Sequence, residues 1–159
     1  MNDNGRRSLA QTLALVFGIV FLLAGILGFI PGITENAPGD FAGEDSEGSL
    51  LGIFQVSILH SIVHALFGIG ILAARKHETA LTYLLVSGIA YAGLVVLGLL
   101  GALDWLPADD TDDFALHLPL AIGLLASWYF GKRDVPNREG VVDQHRDRGG
   151  DGTGARAGR

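Results

Sequence analysis

The sequence predicts an all-α membrane protein, a transmembrane four-helix bundle of two helical hairpins followed by a disordered C-terminal tail. Three observations predict it. Four long apolar runs crowd 159 residues, which leaves too little polar surface to cover them in water. All 11 lysines and arginines sit in the N-terminus, the tight turn between runs two and three, or the tail, so four crossings place every one of them on one side. The two remaining connections are acidic and hold no Lys or Arg.

Residues 1–8, with Arg6 and Arg7, read as a cytoplasmic N-terminus. The transmembrane domain is expected over 9–130. Its first span, 9–30, has 22 residues and no charge, a length that crosses the roughly 30 Å hydrocarbon core. That run is longer than the apolar stretch of a signal peptide, and Gly28-Phe29-Ile30-Pro31-Gly32 reads as a helix-ending turn, so the span is expected to be retained. The second span, 49–74, is interrupted only by Gln55, His60, His64 and small hydroxyls. The third, 80–103, holds nothing more polar than Thr82, Ser87 and Tyr91. The fourth, 114–130, is the shortest and contains His117 and Pro119. Residues 131–159 carry seven glycines and 12 charges but few large apolar side chains, and such a chain cannot bury enough surface to offset its ordering entropy.

The basic residues set the orientation in the cell membrane: both termini cytoplasmic, acidic loops 31–48 and 104–113 outward. Trp105 at the outer boundary and Trp128-Tyr129 at the inner one suit the interfacial aromatic belt. The run Asp109-Asp110-Thr111-Asp112-Asp113 lacks the spacing of a dedicated calcium loop and reads as solvated surface, with Asp112 or Asp113 capping span four. His77 and His145 read as exposed. The absence of cysteine removes disulfides, thiolate metal sites and thiol catalysis, and the net charge of −6 argues against nucleic acid as a partner. With no phosphate-cradling loop, no triad spacing and no carboxylate pair within a span, nothing indicates an enzyme.

The halves of the chain echo one another. At a shift of 70, Leu15-Val16, Gly18-Ile19, Phe21 and Leu27-Gly28 fall on Leu85-Val86, Gly88-Ile89, Tyr91 and Leu97-Gly98. At a shift of 53, His64, Ile69, Gly70, Leu72 and Ala73 fall on His117, Ile122, Gly123, Leu125 and Ala126. One reading is a tandem duplication of a helical hairpin, related by an axis along the membrane normal; the other is chance matching of Leu/Gly/Ala-rich spans. Small residues at four-residue spacing provide close helix packing in lipid: Ala10, Ala14 and Gly18 on span one, Ser57, Ser61 and Ala65 on span two, with Gly28/Gly32 and Gly48/Gly52 as further pairs.

Span two carries Gly52, Val56, His60, His64 and Gly68 in four-residue steps, one helix face. His60 precedes Arg75 by 15 residues and His117 precedes Lys132 by 15, so both lie about 22 Å above the inner basic layer, with His64 a turn deeper. Three readings compete for these imidazoles. They hydrogen-bond across helices to Ser57, Ser61, Ser87, Tyr91, Gln55 or a backbone carbonyl. They handle protons or bind a ligand, with Gln55 beside them. Or they hold a divalent metal or a non-covalent haem, His60 and His64 as an i, i+4 pair and His117 as third ligand.

From Gly28 to Gly32, and from Gly52 to Gly68 through His60 and His64, the chain resembles a family of small bacterial and archaeal four-span proteins that carries only a domain-of-unknown-function label. Leu116-His117 and Gly123 match its fourth helix; Pro119 and the charged tail depart from it. The resemblance covers roughly residues 9–131. It implies an integral membrane protein and no particular activity. The expected role is structural or accessory, with the lipid bilayer and a homo-oligomer or other membrane proteins as partners; the alternative is a small redox or proton-linked component using His60, His64 and His117.

Overall fold

Ser8 opens the first helix through a capping box: its hydroxyl accepts from the Gln11 amide, and the Gln11 side chain accepts from the Ser8 amide. Two donors that a helix start leaves unmatched are thereby satisfied. The computed structural model describes residues 7–36, 41, 48–102 and 111–134, the side chains of 111–115 excepted. Within them α1 (Leu9–Leu27) leads into three two-residue strands, β1 (Thr34–Glu35), β2 (Ser49–Leu50) and β3 (Phe54–Gln55). Then come α2 (Ile58–Phe67), α3 (Gly70–Ala73), α4 (His77–Leu99) and α5 (Thr111–Gly131). The strands form an antiparallel sheet in the order β1-β2-β3, Thr34 facing Leu50 and Ser49 facing Gln55. The protein is mostly helical. Two helices, α1 and α4, are long and apolar enough to cross a membrane, while the apolar runs 58–73 and 116–131 are shorter.

The run 49–74 is not one helix. Leu51 and Gly52 take φ of 57° and 69°, a left-handed turn that folds β2 back on β3, and the helix starts only where the Ser57 hydroxyl accepts from the His60 amide. Gly52 and Val56 therefore do not share a helix face with His60 and His64, and Gly48 and Gly52 are not a helical pair. Gly32, at φ 89°, likewise lies beyond α1.

The same run also narrows at Gly68–Ile69. Ile69 and Ile71 donate to carbonyls three residues back, tightening the rod while both residues keep right-handed helical dihedrals. The Phe67 carbonyl at this turn accepts from the Tyr83 hydroxyl at 2.9 Å. A close approach to α1 accounts for the glycine, since a Cβ on Gly68 would lie 2.8 Å from Leu22 Cβ.

α1 packs along α2 and α3, α4 packs along α5, and α1 also meets α4 and α5. Residues 70 apart are buried in pairs: Ala10 and Ala80, Ala14 and Leu84, Gly18 and Gly88, Phe21 and Tyr91, Gly25 and Val95, Gly28 and Gly98. Each glycine of one such pair faces the second helix of its own hairpin, at positions one residue out of register with the 53-residue shift. A Cβ on Gly18 would meet Ile71 N at 2.5 Å, and one on Gly88 would meet Leu125 N at 3.2 Å.

One end of the bundle is tied by polar contacts. Gln11 Nε2 donates to the carbonyls of Ala74 and Arg75, the Leu9 amide donates to Asp134, and Ser8 Oγ lies 2.8 Å from His77 Nδ1. His77 is thus half-buried and bonded rather than exposed. Lys132 lies 4.1 Å from the centre of the Trp128 ring at the same end. Trp105, Asp109 and Asp110, most of both acidic loops, and His145 with the tail from residue 135 lie outside the described residues. Asp112 and Asp113 fall in the first turn of α5, and their side chains lie outside the described ones.

Candidate functional site

The Ser57 cap places His60 in the first turn of α2 and His64 one turn later, so the two rings stack at 4.6 Å with 20° between their planes. From α5, His117 brings its ring to 5.9 Å from His60 and 6.4 Å from His64. One ligand nitrogen from each histidine lies within 4.8 Å of the others. His64 and His117 are buried, at 7% and 9% exposure, and His60 is half-buried.

Aromatic side chains wall the cluster. Phe21 presents a T-shaped contact to His64 at 5.6 Å, and Tyr91 lies 5.5 Å from His117. Phe21 and Tyr91 stack on one another at 5.3 Å and 11°, and Phe67 packs on both. The Tyr91 hydroxyl is 3.4 Å from His64 Nε2, a long hydrogen-bond contact. His64 Nδ1 is buried without a hydrogen-bond partner, and so is Ser61 Oγ. With Nε2 facing a hydroxyl, the tautomer that carries its proton there leaves the Nδ1 lone pair free.

Sequence spacing singled out His60, His64 and His117, and the fold brings all three together. Gln55 lies half-buried in β3, the strand that packs against α5. The hydroxyl of Ser57 is engaged by the His60 amide rather than by an imidazole. Phe21 and Phe67 were not legible as site residues. The signal that points to the wall is the 70-residue shift, which aligns Phe21 with Tyr91, the two rings that stack beneath the histidines.

Three imidazole nitrogens at this separation are a group that could hold a metal ion. A four-coordinate ion at about 2.0 Å from each nitrogen asks for about 3.3 Å between nitrogens, closer than the 4.8 Å within which they lie here. Residues 11–129 match the family described as a domain of unknown function (DUF4383). The chain belongs to that family. All three histidines and the aromatic wall lie inside the matched segment, which agrees with the resemblance read over 9–131. No curated protein and no solved structure matches the chain.

Proposed function

We propose that the protein is a four-span integral membrane protein, both ends cytoplasmic, whose bundle holds a transition-metal ion on His60, His64 and His117. The observation that carries the metal-binding reading is the convergence of three ligand nitrogens within 4.8 Å. A purely hydrogen-bonded core asks each imidazole to find a polar partner on a neighbouring helix. Here the three rings face one another, and although His64 Nε2 has the Tyr91 hydroxyl, His64 Nδ1 is buried without a partner. A buried polar atom left unmatched costs roughly 1–3 kcal/mol, which a bound ion removes.

A haem suits the arrangement less well than a bare ion. Axial imidazoles stand on opposite faces of the macrocycle, whereas His60 lies within 5.9 Å of both His64 and His117, in the space a porphyrin needs. The function this supports is that of a metal-linked redox or metal-handling membrane component rather than a structural filler.

The four-span reading rests on where the large apolar side chains point. Val16, Val20 and Leu23 of α1 and Val86, Ile89 and Val96 of α4 are each about half exposed, while the buried faces of those helices combine Ala10, Ala14, Gly18, Ala80 and Gly88 with a few large side chains, Phe21, Leu84 and Tyr91. Small residues at the close helix contacts and large apolar ones outside is the arrangement that suits lipid, where close backbone approach rather than leucine burial holds helices together. The burial pairs 70 residues apart support a duplicated hairpin within this bundle.

Reporter fusions after Asp110 and at Arg159 are expected to report opposite sides of the membrane; a shared side overturns the four-span arrangement. For the metal, detergent-purified protein is expected to bind one Zn(II) or Co(II) per chain by dialysis and elemental analysis. The His60→Ala/His64→Ala/His117→Ala variant is expected to bind none, and undiminished binding by that variant sinks the reading.

A further inference from the structure

We infer that the lateral groove between the α2–α3 rod and α4 holds an acyl chain of one anionic phospholipid of the cytoplasmic leaflet, with the headgroup phosphate on Arg75 and Lys76. The inference rests on the four-span reading above and gives one face of that bundle a partner.

The groove follows from how the helices pair. α1 packs along α2 and α3, and α4 packs along α5, so the first rod meets α4 mainly through α3, beside the turn that joins them. Between the rod and α4 lies a groove of about 630 Å³, from Ala73 and Thr79 at its shallow end to Leu66 and Ser87 at its deep end.

The lining suits a hydrocarbon. Its large aliphatic side chains, Leu66, Ile69, Leu72 and Val86, are exposed. Three of its hydroxyls are already engaged: Thr79 donates to the carbonyls of Ala73 and Lys76, Thr82 to that of Glu78 and Tyr83 to that of Phe67. A guest there asks for no hydrogen bonds from these groups and covers apolar carbon.

Depth fits one chain of one leaflet. Thr79 and Ser87 are eight residues apart on α4. That is about 12 Å of helix, against roughly 15 Å for half the hydrocarbon core. At the deep end stands Phe67, whose ring packs on Phe21 and Tyr91 in the wall of the histidine cluster. A spanning helix of a second copy would need a seat that continues across the bilayer, and this groove stops within one leaflet.

Charge selects the headgroup. Arg75 and Lys76 lie between Ala73 and Thr79, at the mouth of the groove, and both are exposed. Among the described residues no ion pair engages either cation. Two cations against the single carboxylate of Glu78 leave the turn net positive. Lys76 is also the N-cap of α4 and supplies no side-chain cap, so a phosphate there meets the positive end of the helix as well. A zwitterionic headgroup brings its own cation and gains less. Lys132 and Arg133, at the same end, lie over the Trp128 and Tyr129 rings of α5, outside the lining, and serve as the control.

The experiment offers the whole, delipidated chain in detergent equal amounts of phosphatidylglycerol and phosphatidylcholine with identical acyl chains, and counts retained lipids by native mass spectrometry. Wild type is expected to retain one lipid and to prefer phosphatidylglycerol roughly tenfold. Arg75→Gln/Lys76→Gln is expected to retain one lipid without preference, and Lys132→Gln/Arg133→Gln to behave as wild type. Val86→Trp, which crowds the groove and leaves the basic pair intact, is expected to retain none.

Equal retention of the two lipids by wild type overturns the inference, and so does a preference that survives Arg75→Gln/Lys76→Gln. A preference undiminished in Val86→Trp places the lipid elsewhere and overturns the groove. A lipid-free dimer that Val86→Trp dissociates makes the groove an interface between copies and overturns it too. If the reporter fusions report opposite sides while wild type shows no preference, only the lipid site falls; if they share a side, the four-span reading falls with it.

Discussion

The first hairpin, α1 with α2 and α3, and the second, α4 with α5, share their packing positions and differ in their chemistry. Where they pack they correspond: Ala10 with Ala80, Gly18 with Gly88 and Gly28 with Gly98 are all buried. Where they face the histidine cluster they diverge. Phe21 in the first becomes Tyr91 in the second, which adds the hydroxyl beside His64. The rods differ as well, since α2 and α3 are divided at Gly68–Ile69 while α5 is continuous through Ala121 and Ile122. The lesson is that a pair of similar hairpins makes the scaffold, and that one small departure from similarity, the hydroxyl of Tyr91, falls beside the histidines.

The comparison breaks most sharply at its glycines. Gly18→Ala pushes a methyl against the backbone of Gly70 and Ile71, which cannot rotate away, whereas the methyl of Gly88→Ala first meets the Leu125 side chain at 2.8 Å. Gly18→Ala is expected to destabilise the bundle by about 3 kcal/mol and Gly88→Ala by about 1 kcal/mol, measured by reversible unfolding in mixed micelles. A larger loss from Gly88→Ala reverses the account of which hairpin is packed tighter.

The stacked pair Phe21 and Tyr91 comes next. Each alanine substitution is expected to cost about 2–3 kcal/mol through the cavity it leaves, and the double variant about 1 kcal/mol less than the sum, because the first deletion already removes the stacking contact. Strict additivity would mean that the two hairpins meet without this pair mattering to either.

Replacing His60, His64 and His117 together with leucine is expected to leave the metal-free protein as stable as wild type or about 1 kcal/mol more so, because it removes the unmatched His64 Nδ1. The same variant is expected to lose all stabilisation by Zn(II), so the unfolding curves with and without the ion coincide. A strong loss of metal-free stability would instead assign the imidazoles to the packing shared by the hairpins.

The smallest effect is expected from Tyr91→Phe, which makes the two hairpins alike at this position. Interhelical hydrogen bonds in membrane bundles average about 0.6 kcal/mol, and the 3.4 Å contact to His64 is a long one. Its consequence is expected in the metal instead: loosening the ring of His64 weakens Zn(II) binding roughly tenfold with little change in stability.

Much of the helical architecture was legible from sequence, because apolar runs of helical length have few alternatives and because Ser8 with Gln11 spells a capping box. Less legible was the start of α2. The apolar composition of 49–57 matches that of a helix, and only the Leu51–Gly52 turn and the Ser57 cap, decided by backbone dihedrals and a single hydroxyl, divide strand from helix. His77 was misread for a related reason: its partner Ser8 lies 69 residues away, and no local pattern announces it.

By itself the sequence determined the helical class, the membership of residues 11–129 in the family, and the choice of His60, His64 and His117, because these follow from composition, local spacing and motif. The tertiary structure decided that the three imidazoles meet, that Phe21, Phe67 and Tyr91 enclose them, and that α2 tightens at Gly68 against Leu22. Those facts depend on how far apart two helix axes lie and how each helix is rotated about its own axis. Both are set by the sum of many small contacts between segments distant in the chain, and no local stretch of sequence encodes that sum.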